Sequence, residues 1–263
     1  MADSPISAEE QNEITRVCVL AAQILMQHGT ESALVETVAR RLGLALGADS
    51  VEVALMAHAI TLTTLCGKRS QTTVRRAIDH GVNMHMSVQV QRVMLDAEAH
   101  RCGTAVVAER LEALRPFHYP HALVVVMVGL SCAAFAWLAG ASWCACLLTF
   151  AASATGMAIR QQLAHWHFSP IINFTLSAFV VTSITAQGLI HNWGIAPADA
   201  RLAMASCVLF FVPGVPLING VSDMVKGYMN TGIARLGVAS LLSIGTCIGI
   251  LFATLVWGAH AWL

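Results

Sequence analysis

The chain has 263 residues, of which 56% are hydrophobic and 11% are Asp, Glu, Lys or Arg, and its formal net charge is zero. This balance gives no argument for binding to nucleic acid or to an acidic surface. Only six of the charged residues follow residue 121. A soluble domain of that size needs a charged surface, whereas helices that face lipid avoid charge. The sequence therefore predicts a soluble head, residues 1–121, followed by a membrane domain, residues 122–263.

The pattern of apolar residues within the head changes from helical to alternating and back. Helical spacing predicts a first helix that ends at Gly29, and Thr30 is placed to cap a second one. A period of two from Val51 predicts antiparallel strands, with residues 70–74 as the last. Helical spacing resumes at Met86 and continues to the end of the head. The head is thus predicted as α+β, with helices around a small antiparallel sheet.

Apolar runs without charge dominate the second half of the chain. Each reaches or approaches the ~20 residues that a helix needs to cross the hydrocarbon core of a bilayer. The runs are residues 122–139, 143–159, 171–190, 202–221 and 236–257. The predicted fold class is therefore an α-helical membrane protein with five transmembrane helices, preceded by the α+β head.

Basic residues in the loops predict the orientation of these spans. With the head in the cytosol, Arg160, Lys226 and Arg235 also lie at cytosolic loops, whereas Asp199 and Arg201 lie together outside. This arrangement places the excess of Lys and Arg inside, as bacterial membrane proteins prefer. Because the number of spans is odd, the C-terminus is predicted outside, on the side of the membrane opposite the head.

Two prolines and a glycine interrupt the fourth apolar run at Pro213, Gly214 and Pro216. Each proline removes a backbone donor and clashes with the preceding turn when it lies inside a helix. A helix broken at membrane depth is tolerated where its free backbone groups face protein or a wet cavity, and transporters build substrate sites from such breaks. We therefore predict a broken fourth helix; a simple kink at the membrane exit is the alternative.

Polar residues follow this break at helical spacing. Asn219 and Asp223 are four apart and share a face, which Lys226 roughly continues. We expect Asp223 to pair with Asn219, Lys226 or Arg235, and we hypothesise that it binds a coupling proton or a substrate. On that hypothesis, the Asp223→Asn variant inserts into the membrane normally but is inactive in transport. A helix end that is merely solvated remains the alternative.

Arg160 and Asn173 flank the preceding cytosolic loop. Arg160 is either an ordinary positive-inside anchor or a donor to an anionic substrate, because its planar fork matches a carboxylate. The residues predicted to line a substrate or proton pathway are Asp223, Asn219, Arg160, Asn173, Lys226 and Arg235.

Signatures of metal, nucleotide and hydrolase sites are missing from the sequence. The cysteines occur without a C-x-x-C pair, and the histidines of the head are scattered without a cluster of further metal ligands. The sequence contains no GxxxxGK[ST], GxGxxG, G-x-S-x-G or H-E-x-x-H motif. We expect no metal, no cofactor and no enzymatic activity.

Several longer motifs together resemble the threonine/serine exporter family over nearly the whole chain. They are L-x-x-H-G-x-E-S-A-x-V-E from Leu25, M-V-G-L-S-C-A from Met127, I-R-Q from Ile159, I-N-F from Ile172, and V-P-G-V-P-L-I-N-G-V-S-D-M-x-K-G-x-x-N-T-G-x-A-R from Val212. The resemblance is to the larger member of the split form of the family, in which a separate small protein carries the remaining spans.

The resemblance implies a subunit of a two-component secondary exporter in the bacterial inner membrane. It implies succinate as the first choice of cargo, with threonine or serine as the alternative, and a small multi-pass partner that supplies the second half of the transporter. The chain could also associate with further copies of itself within the bilayer, as a homo-oligomer. From the residues alone, a membrane scaffold or sensor that transports nothing is the rival interpretation.

Overall fold

The computed structural model describes residues 6–191 and 195–258. The head consists of α1 (Ala8–Gln27), α2 (Ser32–Ala45), β1 (Ser50–Leu55), β2 (Ala59–Cys66), β3 (Arg69–Arg76), α3 (Met84–Glu98) and α4 (Thr104–Ala113). The apolar half consists of α5 (His121–Leu138), α6 (Trp143–His165), α7 (Pro170–Ile190), α8 (Pro197–Val208), a 3-10 turn (Leu209–Phe211), α9 (Gly214–Val225) and α10 (Met229–Val256).

The chain divides into two compact units. One, the head unit, combines Met1–Phe117 with Val215–Gly237. The other, the bundle unit, combines His118–Gly214 with Val238–Leu263. The segment around α9 and the start of α10 therefore packs with the head, although the sequence places it among the apolar runs. The division into a soluble head and a membrane domain stays a prediction.

The sheet of the head unit is antiparallel, with strand order β1-β2-β3. Alternate residues of β2, including Ile60 and Leu62, are buried, so one face of the sheet covers the core formed by α1 and α2. Gln11 and Thr15 of α1 are buried as well, and both bind Thr64 of β2: Gln11 Nε2 donates to its carbonyl (3.1 Å), and the two threonine hydroxyls are 2.6 Å apart. The predicted helices and small antiparallel sheet are confirmed.

Small residues let the helices of the bundle unit approach closely. A Cβ added to Gly156 of α6 would lie 2.2 Å from Val181 of α7, and one added to Gly249 of α10 would lie 2.2 Å from the Thr175 carbonyl oxygen. Large apolar side chains such as Leu138 and Leu147 remain exposed on the outside. This distribution is what a bundle surrounded by lipid requires.

Among the described residues, four helices are long and apolar enough to cross a membrane: α5, α6, α7 and α10. The pair formed by Pro197–Phe211 and Gly214–Val225 qualifies only as one bent span, which would bring the number to five. The apolar run predicted from residue 236 lies within α10, which begins at Met229. The run predicted for residues 143–159 lies within α6, which continues to His165.

Tryptophans mark both ends of α6. Trp143 is its first residue and Trp166 its C-cap, and both are exposed. The 23 residues of α6 span about 34 Å at about 1.5 Å per residue, close to the thickness of a bilayer core. The Trp143 ring lies 4.9 Å from that of Trp137 at the end of α5. Aromatic residues at these two levels are typical of membrane–water interfaces.

Candidate functional site

The polar face of α9 contacts the loop between α1 and α2 within the head unit. Asn219 Nδ2 donates to the Gly29 carbonyl at 2.8 Å. Asp223, one turn further, accepts from Ser32, and Lys226 pairs with Glu31. Asn219, Asp223 and Lys226 thus contact the segment from Gly29 to Ser32, which comprises the end of the loop and the first residue of α2.

Asp223 is fully buried, and its carboxylate binds the first turn of α2. Oδ1 accepts from the Ser32 backbone N–H at 2.9 Å, and Oδ2 accepts from Ser32 Oγ at 2.8 Å. The residue that precedes the helix, Glu31, makes no capping bond of its own. Because a helix N-terminus has free N–H groups and a partial positive charge, a carboxylate supplied from a distant segment can cap it. Asp223 therefore acts as the cap of α2.

The prediction that Thr30 caps α2 is wrong. Its hydroxyl instead lies 2.5 Å from Ser87 Oγ of α3. The alternative that Asp223 is a solvated helix end is also wrong, since its side chain has no exposed surface.

Arg235 of α10 supplies the compensating charge. Its Nη1 donates to Asp223 Oδ2 at 2.9 Å, and its Nη2 donates to the Thr30 carbonyl at 2.6 Å. The Arg235 side chain is 18% exposed, so this ion pair is largely removed from water. One guanidinium thus neutralises the buried carboxylate and holds the same loop that α9 holds.

Further contacts surround this pair. Ser222 Oγ and Lys226 Nζ both donate to Glu31, and these bonds hold the pKa of Glu31 below its usual range. The Tyr228 hydroxyl donates to Glu36 of α2 at 2.5 Å. Burial, and then the Glu36 carboxylate, raise the pKa of Tyr228 to about 12, so the phenol stays protonated as a donor.

We refer to this set of contacts as the loop clamp. On the head side it comprises Gly29, Thr30, Glu31, Ser32 and Glu36, and on the α9–α10 side Asn219, Ser222, Asp223, Lys226, Tyr228 and Arg235. Of these, only Asn219, Asp223, Lys226 and Arg235 were predicted as site residues. The members that the sequence did not indicate are Gly29, Thr30, Glu31, Ser32, Glu36, Ser222 and Tyr228. Both sides lie in motifs that the sequence analysis singled out, but nothing in the sequence indicated that the two motifs touch.

The helix break lies immediately before α9, which carries the first residues of the loop clamp on that side. The 3-10 turn ends at Phe211, and Val212 has an extended backbone, as residues before proline prefer. Pro213 then separates the two helices, and α9 begins at Gly214. Pro216 lies in the first turn of α9, where its missing N–H costs no hydrogen bond. The prediction that Pro216 interrupts a helix interior is therefore wrong, and the break rests on Pro213.

Arg160 and Asn173 belong to the bundle unit and contact each other. Asn173 Nδ2 donates to the backbone carbonyl of Arg160 at 3.0 Å, and Ser177 Oγ donates to Asn173 Oδ1 at 3.4 Å. The Arg160 guanidinium carbon lies 4.2 Å from the centroid of the Phe174 ring. The six predicted pathway residues thus form two sets: these two, and the four in the loop clamp.

The described part of the chain contains no group of three or more His, Cys, Asp or Glu side chains that could hold a metal ion. The residues of the loop clamp can form ion pairs and hydrogen bonds. The Arg160 guanidinium can donate hydrogen bonds to an anion.

The family model described as "Putative threonine/serine exporter" matches residues 16–257. A protein of Escherichia coli (strain K12) named "Probable succinate transporter subunit YjjP" is 44% identical over 98% of this chain and 100% of its own length. A Klebsiella aerogenes protein of the same name is 46% identical over 96% of this chain and 97% of its own. A Mycobacterium tuberculosis protein named "Probable threonine/serine exporter" is 25% identical over 68% of this chain, which is 32% of that protein. No solved structure matches significantly.

The apolar helices and these matches define a multi-pass membrane protein of a transporter class. The chain belongs to the threonine/serine exporter family.

Proposed function

We propose that this chain is one subunit of a two-component secondary exporter that moves succinate out of the cytoplasm across the inner membrane. The observation that carries the proposal is the match along almost the full length of both chains to a protein named as a succinate transporter subunit. Threonine or serine is the second candidate cargo, which the description of the family favours.

We propose a small multi-pass membrane protein as the partner. The mycobacterial relative supports this idea, because two thirds of this chain align with only a third of that protein. The remaining part of such a longer chain corresponds to what a separate subunit would contribute. Helix faces lined with small residues in the bundle unit offer surfaces on which a partner, or another copy of this chain, can pack within lipid.

Deletion strains test the cargo. In the organism that carries this chain, deleting its gene, the gene of the partner, or both should lower the succinate exported into the medium to the same extent, because neither subunit transports alone. Succinate, threonine and serine in medium and cells are measured by mass spectrometry. A fall in threonine or serine instead of succinate would favour the second cargo, and unchanged export of all three would favour a scaffold or sensor.

For orientation, we propose that the head is cytoplasmic and the C-terminus periplasmic, with the bent pair counted as one of five spans. The excess of Lys and Arg at the loops assigned to the cytoplasm supports this arrangement. A reporter enzyme that is active only in the periplasm should therefore be active when it is fused after Leu263. A fusion that is active only with a cytosolic reporter would contradict an odd number of spans.

A further inference from the structure

The bundle unit contains an arginine whose charge nothing within that unit neutralises. The two segments that form the unit contain only three charged residues: Arg160, Asp199 and Arg201. Asp199 Oδ2 accepts from the Ser142 backbone N–H at 3.3 Å, at the start of α6. Arg160 lies about 27 Å further along the same helix, at about 1.5 Å per residue. Asp199 is therefore too far away to pair with it.

The Arg160 side chain also lacks an acceptor among the described residues. No carboxylate of the described chain forms a salt bridge with its guanidinium, and no hydrogen bond from it is found. A guanidinium has five N–H donors in a planar fork, and leaving such a group partly buried without an anion is costly. Arg160 is half-buried, so an anion that the described chain does not supply would stabilise its charge.

The guanidinium is held in place on the interior side of the bundle. It stacks on Phe174, a buried residue of α7 whose ring meets that of buried Phe211 edge-on at 6.1 Å. Stacking leaves the edge of the fork free while it fixes its plane. The Asn173 amide, which binds the Arg160 carbonyl, fixes the helix backbone at the same level. An arginine that only anchors the helix at the lipid surface does not require a buried aromatic support.

We propose that Arg160, stacked on Phe174, binds the carboxylate of the exported molecule. The inference rests on the proposed function, because a carboxylate-bearing metabolite is the cargo that function requires. A carboxylate presents two oxygens in the plane and at the spacing of the guanidinium fork. Arg160 lies about 8 Å from the C-terminal end of α6, so a lipid phosphate is the other source of an anionic oxygen that could reach it.

Binding of succinate and of its neutral analogue succinamide to the full-length protein, co-purified with its partner in dodecyl maltoside, tests this role. The wild type should bind succinate in preference to succinamide. Arg160→Gln should weaken succinate binding at least about tenfold and remove the preference, since a charge-assisted bidentate pair is lost. Arg75→Gln, the same change at an exposed position of β3, is the control and should bind like the wild type.

Two conservative variants separate binding from folding. Arg160→Lys keeps the charge but not the fork, and Phe174→Leu keeps the arginine but removes its support. Both should bind succinate several-fold more weakly. Arg160→Lys should melt near the wild-type temperature, whereas Phe174→Leu, which shortens a buried side chain, should remain folded but melt at a lower temperature. Wild-type affinity in Arg160→Gln or Arg160→Lys would overturn the proposal.

Lipid is tested by adding phosphatidylglycerol to the detergent and measuring thermal stabilisation. If Arg160→Gln loses this stabilisation but keeps succinate binding, a lipid phosphate is the ligand and the proposal is overturned. If the wild-type protein neither binds nor exports succinate, the proposed cargo is wrong, and threonine binding by the wild type and Arg160→Gln decides the role of Arg160. Equal threonine binding by the two proteins then overturns that role, and a tenfold loss supports it.

Discussion

Replacement of Asp223 by asparagine is expected to destabilise the head unit by about 3–5 kcal/mol, because it leaves Arg235 largely buried without its counter-charge. The asparagine amide would also direct a donor at a position where Asp223 accepts from Ser32. The apparent melting temperature in detergent and the amount of protein in the membrane measure the effect. Asp79→Asn, the same change at an exposed residue, should leave both unchanged.

The double variant Asp223→Asn/Arg235→Gln distinguishes a structural role of Asp223 from a role in transport. It removes both charges at once, so no uncompensated charge stays buried, and it should recover much of the stability that the single variant loses. If export returns with stability, Asp223 only holds the clamp. If the double variant is stable but does not export, Asp223 or Arg235 takes part in transport beyond holding the clamp.

This expectation differs from the one based on the sequence. An Asp223 that serves only transport would allow Asp223→Asn to accumulate normally, whereas the buried cap predicts a less stable protein. Normal accumulation and melting of the single variant would mean that the contacts of Asp223 with Ser32 and Arg235 contribute little to folding.

The second large effect is expected for Gly249→Ala in α10. The added methyl group would lie 2.2 Å from the backbone oxygen of Thr175 and 3.0 Å from the backbone nitrogen of Phe179. Because the obstacle is main chain rather than a flexible side chain, α7 and α10 must separate, at a cost of about 3 kcal/mol. A clear fall in melting temperature and loss of export are expected.

Gly237→Ala is the matched control in the same helix, because no atom lies within 4 Å of a Cβ at that position. It should be neutral or slightly stabilising, since alanine is favoured over glycine in helices by up to about 1 kcal/mol. Equal melting temperatures for the two variants would show that α7 and α10 do not pack at this distance.

The local pattern of apolar and polar residues predicted much of the fold. Apolar runs predicted the long helices, and alternation from Val51 predicted the strands. Arg235 was predicted at a loop because it is charged, whereas it lies inside α10, which begins at Met229. Within the fold its charge is neutralised by Asp223, so the helix can include it.

The candidate site was predictable only in part. Helical spacing correctly grouped Asn219, Asp223 and Lys226, because neighbours on one helix face depend on local geometry alone. Their partners in the loop after Gln27 lie about 190 residues away in the sequence, and a single sequence carries no signal for such a pairing. Arg160 and Asn173 were grouped by their place in the chain, and the structure adds the Phe174 ring, whose centroid lies 4.2 Å from the guanidinium carbon of Arg160.

The head unit is assembled from two segments separated by almost a hundred residues of the bundle unit. During synthesis the first helices and the sheet leave the ribosome long before residues 215–237 exist. Until then, the N-terminus of α2 has neither its cap nor the arginine that accompanies it. The newly made head therefore stays incomplete until most of the membrane helices have been synthesised. A fragment that ends at residue 117 would likewise lack these contacts, so genetic separation of the head at that point divides a folding unit rather than releasing one.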